Sequence, residues 1–128
     1  MRLLLDTHSF LWFVLADPQL STAAAGLISS PQNERLISPT CYWEVAIKSS
    51  IGKYQLAIPH EQFFTSSILR TGVKVLPIEP KHTAVVSQLP FHHRDPFDRL
   101  LIAQALAEAI PIVSSDKTLD RYGVQRLW

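Results

Sequence analysis

Apolar runs of four or five residues alternate with segments of helical length along this chain, which restricts it to βα units wound into a mostly parallel sheet. Strands are expected at Arg2–Leu5, Arg35–Ser38, Val73–Pro77, Ile112–Val113 and Val124–Leu127. The expected fold class is α/β, a single three-layer α/β/α domain over residues 1–128 with about five strands. At 128 residues, 47% of them hydrophobic, the chain can bury one core. No repeat, low-complexity segment or long linker divides it.

Helices fill the gaps. The first follows Thr7, with Phe10, Leu11, Val14 and Leu15 on one face, and a second opens at the serine cap Ser21, Pro31–Glu34 being the turn after it. Ser38, Pro39 and Thr40 start a helix that runs through Ser50 and stops at Gly52; Lys53–Pro59 is then a connector. Glu61–Thr71, closed by Gly72, and Pro80–Gln88 are helices, and Leu89–Arg94 is a loop with His92 and His93. Asp95-Pro96 opens the most regular helix, carrying Leu100, Leu101, Ala103, Ala105 and Leu106, and Pro111 stops it.

The formal charge of +1 excludes a strongly basic nucleic-acid coat and an acidic solvating tail, so a polyanionic substrate would be held by local charges. With only 18% of residues charged, apolar surface is expected to be covered by another chain. The single cysteine, Cys41, excludes an internal disulfide, no Cys/His cluster offers a zinc site, and a reducing cytoplasm is the default location. Asp6 and His8 interrupt the apolar run from Leu3 to Ala16, which is too short for a membrane span.

The chemistry is expected from separated carboxylates. Asp6 follows the hydrophobic run RLLL and should sit at the carboxyl end of a buried parallel strand, where such sheets place ligands; capping Thr7–Trp12 is the alternative. Glu44 lies one turn inside the third helix, with a surface pair to Lys48 as its alternative. Asp95 and Asp98 fit a capping arrangement at the start of the long helix, yet the helix N-terminus would also keep Asp98 ionised as a metal ligand. Asp116 ends IPIVSS, and Asp120 follows four residues later. All these acids fall where the chain leaves one sheet edge. Clustered carboxylates repel unless cations compensate them, and oxygen-only ligands suit Mg²⁺ or Mn²⁺.

Lys48, Lys53, Arg94, Arg99, Lys117 and Arg121 lie near the acids in sequence and are candidates for a phosphate-binding rim, with scattered solvated charge as the alternative. The five histidines lack metal-binding spacing and read mostly as surface residues, although His92 and His93 lie where they could touch substrate phosphates. Trp12, Phe13, Trp43 and Phe97 read as core or interface residues.

The motifs LLLDTHSFLW, SPTCYWEVAIKSSIGK, RDPFDRLLIAQALAE and IVSSDKTLDRYGVQRLW, in this order, closely resemble a PIN domain, in particular the VapC-like toxin nucleases of toxin–antitoxin pairs. The resemblance covers essentially the whole chain. It implies a ribonuclease dependent on one or two Mg²⁺ or Mn²⁺ ions, with Asp6, Glu44, Asp98 and Asp116 as catalytic and metal-binding acids. Asp95 and Asp120 are departures that offer additional ligands, and Thr7 and Ser115 look like hydroxyls that orient a ligand or water. It also implies a homodimer and a cognate antitoxin that occludes the groove. An inactive interaction module of the same fold would be expected to lack acids, and none of the four is missing. A phosphatase of the haloacid dehalogenase type would need an Asp where this chain has His8.

Overall fold

The computed structural model describes residues 1–128. In chain order the elements are β1 (Arg2–Leu5), α1 (Thr7–Val14), α2 (Thr22–Ser29), β2 (Glu34–Ile37), α3 (Pro39–Ser50), α4 (His60–Thr71), β3 (Lys74–Val75), α5 (Pro80–Val86), α6 (Pro96–Glu108) and β4 (Ile112–Val113). A 3₁₀ helix (Lys117–Tyr122) and β5 (Arg126–Leu127) complete the chain. All neighbouring strands pair in parallel, in the order β3-β2-β1-β4-β5.

The run Leu3-Leu4-Leu5 is fully buried because β1 is central and covered on both faces. Alternation divides it: Leu3 and Leu5 join Phe10, Ile28, Val45 and Phe64 from the helices between β1 and β3. Leu4 faces the opposite way, against Leu101, Ile102 and Ala105 of α6 and Leu89 and Leu119. The expected three layers are present.

Several boundaries differ from the sequence reading. β3 is two residues rather than Val73–Pro77, since it lies at the edge, Pro77 has no N–H, and Val73 N–H donates to Thr71 Oγ1. β5, at the other edge, is also two residues rather than Val124–Leu127. Ser38 belongs to no strand: its Oγ accepts from Thr40 N–H as the cap of α3. α6 is stopped not by Pro111 but by Ala109, whose left-handed backbone (φ 53°) closes the helix after Glu108.

His82 overturns its reading as a surface residue: it is fully buried, accepts from Glu79 N–H through Nδ1 (3.0 Å) and bonds Glu108 through Nε2 (2.9 Å). It ties the start of α5 to the end of α6.

Candidate active site

The chain order of the strands reverses between β1 and β4, and in such sheets the crevice beyond the carboxyl ends at this switch point is where ligands bind. Asp6 follows β1 directly, Asp116 lies three residues beyond β4, α3 delivers Glu44, and the N-terminus of α6 delivers Asp95 and Asp98. These five acids and Lys48 line one cavity of about 260 Å³. Thr7, His8, Ser114 and Ser115 also line it.

Each acid is held differently. Asp6 caps α1, its Oδ1 accepting from Ser9 N–H (2.7 Å), which leaves Oδ2 without a protein donor. Glu44 is buried, 5% exposed, with both oxygens engaged: Oε1 accepts from Thr7 Oγ1 (2.7 Å) and Oε2 from Lys48 Nζ (2.6 Å). Burial opposes the Lys48 charge, but the hydrogen bond and charge of Glu44 outweigh it and raise the ammonium pKa. Lys48 is thus a counter-charge to Glu44 inside the cavity, and the helical pair foreseen for it exists there.

Asp95 is the α6 cap, its Oδ1 accepting from Phe97 N–H (2.8 Å) and Asp98 N–H (3.4 Å). Asp98 has no side-chain donor. The helix N-terminus does not hold its pKa down: burial, then the neighbouring Asp95 and Glu44 charges, push its carboxyl up to about 6, which still leaves it largely ionised at neutral pH. Asp116 goes the other way. Burial pushes its pKa up, but hydrogen bonds from His93 and Thr118 N–H outweigh that and leave it below the usual range.

Three other expectations fail. Asp120 does not line the cavity: it is exposed and engaged by Arg126 Nε (2.9 Å) and Nη2 (3.3 Å), which leaves Asp116 as the acid after β4. Arg99 is no phosphate contact, because it is buried, 6% exposed, and donates to the carbonyls of Pro90, Leu89 and Val86. His93 is not a free phosphate ligand: Nε2 bonds Asp116 Oδ2 (2.7 Å) and Nδ1 bonds the Tyr122 hydroxyl (3.0 Å). Lys48 lines the cavity, whereas Arg94 and Lys117 are exposed outside its lining.

Sequence reasoning missed Tyr122, and Ser114, whose Oγ accepts from Asp116 N–H (3.1 Å). The Ser-x-Asp spacing is a local signal for the second; nothing local signals the first. A second carboxylate–histidine group, Glu79, His82 and Glu108, brings ligand atoms within 4.8 Å of one another. It lies at the C-terminal end of α6, away from the cavity, and Lys81 (2.7 Å) already engages Glu108.

The donor set suits a hard divalent cation: Asp6 Oδ2 and both Asp98 carboxylate oxygens carry no protein donor, and one lysine faces five acids. The PIN domain family model matches residues 3–125. Ribonuclease VapC22 of Mycobacterium tuberculosis is 30% identical over 117 residues, covering 91% of this chain and 88% of that protein. VapBC2 from Rickettsia felis, solved bound to a DNA fragment from its promoter, superposes with a TM-score of 0.70 at 17% identity, covering 99% of this chain and 98% of that one. VapBC-5 from Mycobacterium tuberculosis, a member of the VapBC family of toxin-antitoxin systems, gives 0.62 at 15% identity, covering 98% and 97%. The chain belongs to the PIN-domain family, as a VapC-like ribonuclease.

Proposed function

We propose that this protein is the toxin of a toxin–antitoxin pair and hydrolyses phosphodiester bonds of RNA with Mg²⁺ or Mn²⁺. The observation that carries the reading is the carboxylate cavity at the switch point, where five acids face one lysine. Asp6 and Asp98, with donor-free oxygens, would hold the cation directly, and the tethered Glu44 and Asp116 would complete its surroundings. When bound, one or two such ions lower the pKa of a water and offset charge developing on the phosphate.

The residues around the acids divide the remaining work. Thr7 orients Glu44, Ser115 offers a hydroxyl at the cavity wall, and Asp95 fixes the first turn of α6 beneath Asp98. Lys48 supplies the counter-charge to Glu44, and the exposed Arg94 and Lys117 are left as candidates to meet RNA phosphates. A cytoplasmic location accords with an RNA substrate and a free thiol at Cys41.

The VapBC complexes among the structural neighbours support a cognate antitoxin as partner. Exposed Trp43, Ile51 and Leu69 support a homodimer, to be checked by light scattering of the purified chain. Activity is tested with labelled single-stranded RNA and Mg²⁺, Mn²⁺ or EDTA, comparing wild type with folded Asp6→Asn and Asp98→Asn. Cleavage that requires the metal and disappears in both variants is expected. A wild type that cuts none of a varied set of RNAs would leave an inactive interaction module as the better reading.

A further inference from the structure

The segment between α5 and α6 has no regular structure, yet it is firmly anchored. Buried Arg99 donates from Nη1 to Pro90 O (2.9 Å) and from Nη2 to Leu89 O (3.1 Å) and Val86 O (3.4 Å), and its guanidinium lies 4.0 Å from the centre of the Phe91 ring. Arg99 is the residue after Asp98, so the loop is fixed to the same helical turn that presents that acid. Two residues beyond Phe91, the loop places His93 between Tyr122 (Nδ1, 3.0 Å) and Asp116 (Nε2, 2.7 Å).

The hydrogen-bond chemistry gives this chain a direction. An ionised Asp116 only accepts, so His93 Nε2 must carry a proton; in the neutral ring Nδ1 is then left to accept from the Tyr122 hydroxyl. Thr118 N–H holds the other Asp116 oxygen at 3.0 Å. Each carboxylate oxygen keeps a lone pair beyond these bonds.

We infer that Tyr122 and His93 form a positioning relay for Asp116: the hydroxyl fixes the histidine tautomer, and the histidine fixes which Asp116 lone pairs remain for the cation. Arg99 holds the relay in register with Asp98. Neither His93 nor Tyr122 touches substrate in this assignment. Partners that orient a ligand in this way typically govern cation affinity by about 10- to 100-fold. The inference rests on the reading of Asp116 as part of the cation site.

The test is Mn²⁺ binding to the purified full chain by titration calorimetry, with thermal melting in EDTA to establish that each variant is folded. His93→Ala is expected to weaken Mn²⁺ binding about tenfold or more. His93→Gln, which returns an amide N–H near the position of Nε2, should recover most of the loss, and Tyr122→Phe should weaken binding severalfold while remaining folded in EDTA. A Gln variant as weak as the Ala variant would overturn the hydrogen-bond assignment. If His93→Ala does not fold, Tyr122→Phe decides, and wild-type affinity in it overturns the relay. Asp98→Asn separates the two levels. Binding lost there but unchanged in the His93 and Tyr122 variants would refute the relay alone; a wild type that binds no Mn²⁺ would refute the cation site and the relay with it.

Discussion

Thr7 and Asp98 line the same cavity and are expected to respond in opposite ways to loss of their polar groups. Thr7 is buried and donates to Glu44 Oε1 at 2.7 Å, so Thr7→Val leaves that buried oxygen without its donor. The expected cost is about 1–3 kcal/mol in urea unfolding. Cleavage should fall about tenfold or more, as when a partner that orients a ligand is lost. Thr7→Ser keeps the hydroxyl and should stay near wild type in both. Asp98 has no donor, and burial with the Asp95 and Glu44 charges raises its carboxyl to about 6. In EDTA, Asp98→Asn therefore removes a repulsion and should melt higher than wild type while losing metal-dependent cleavage. A lower melting temperature would contradict this account of the acid cluster.

The start of α6 separates what its local sequence encodes from what it does not. Asp95-Pro96 was legible as a helix start, because a capping acid followed by proline suits the first turn, and Asp95 does cap it. Asp95→Asn keeps an oxygen for the cap and is expected to preserve both stability and cleavage, whereas Asp95→Ala should lose about 1 kcal/mol. An Asn variant that folds fully but no longer cuts would instead place Asp95 in the cation shell. Arg99 is not legible because an arginine in a first helical turn reads as solvated, and its carbonyl partners at Val86, Leu89 and Pro90 belong to the end of α5 and the loop after it, whose path no local pattern encodes. The placement of Asp116 in the cavity wall and of Asp120 outside it was equally hidden: Arg126 engages Asp120 from across the last turn, and His93 reaches Asp116 from 23 residues away.

At the scale of the molecule, the three layers and the shared sheet edge were legible because fully apolar strands alternate with helices, whereas the strand order and the length of each edge strand depend on long-range pairing. The opposite end of the sheet carries a further consequence of that order. There Glu108, at the end of α6, receives Lys81 Nζ (2.7 Å) and His82 Nε2 (2.9 Å) from α5 and lies 3.7 Å from Arg2 Nη1 of β1, joining three elements through one carboxylate. The Lys81 and His82 hydrogen bonds hold its carboxyl down at about 2, against an ordinary value of 4.5. Between those values the unfolded chain binds the proton and the folded chain does not, so stability falls as acid is added. The contribution is complete above about 4.5 and is lost as pH falls through about 2. Glu108→Gln preserves the shape and removes the charge. Wild type should therefore be the more stable of the two at neutral pH, with the gap in urea midpoints narrowing below about pH 4.5 and closing near pH 2. A gap that stays constant over this range would mean that packing, and not the charge of Glu108, joins α5, α6 and β1.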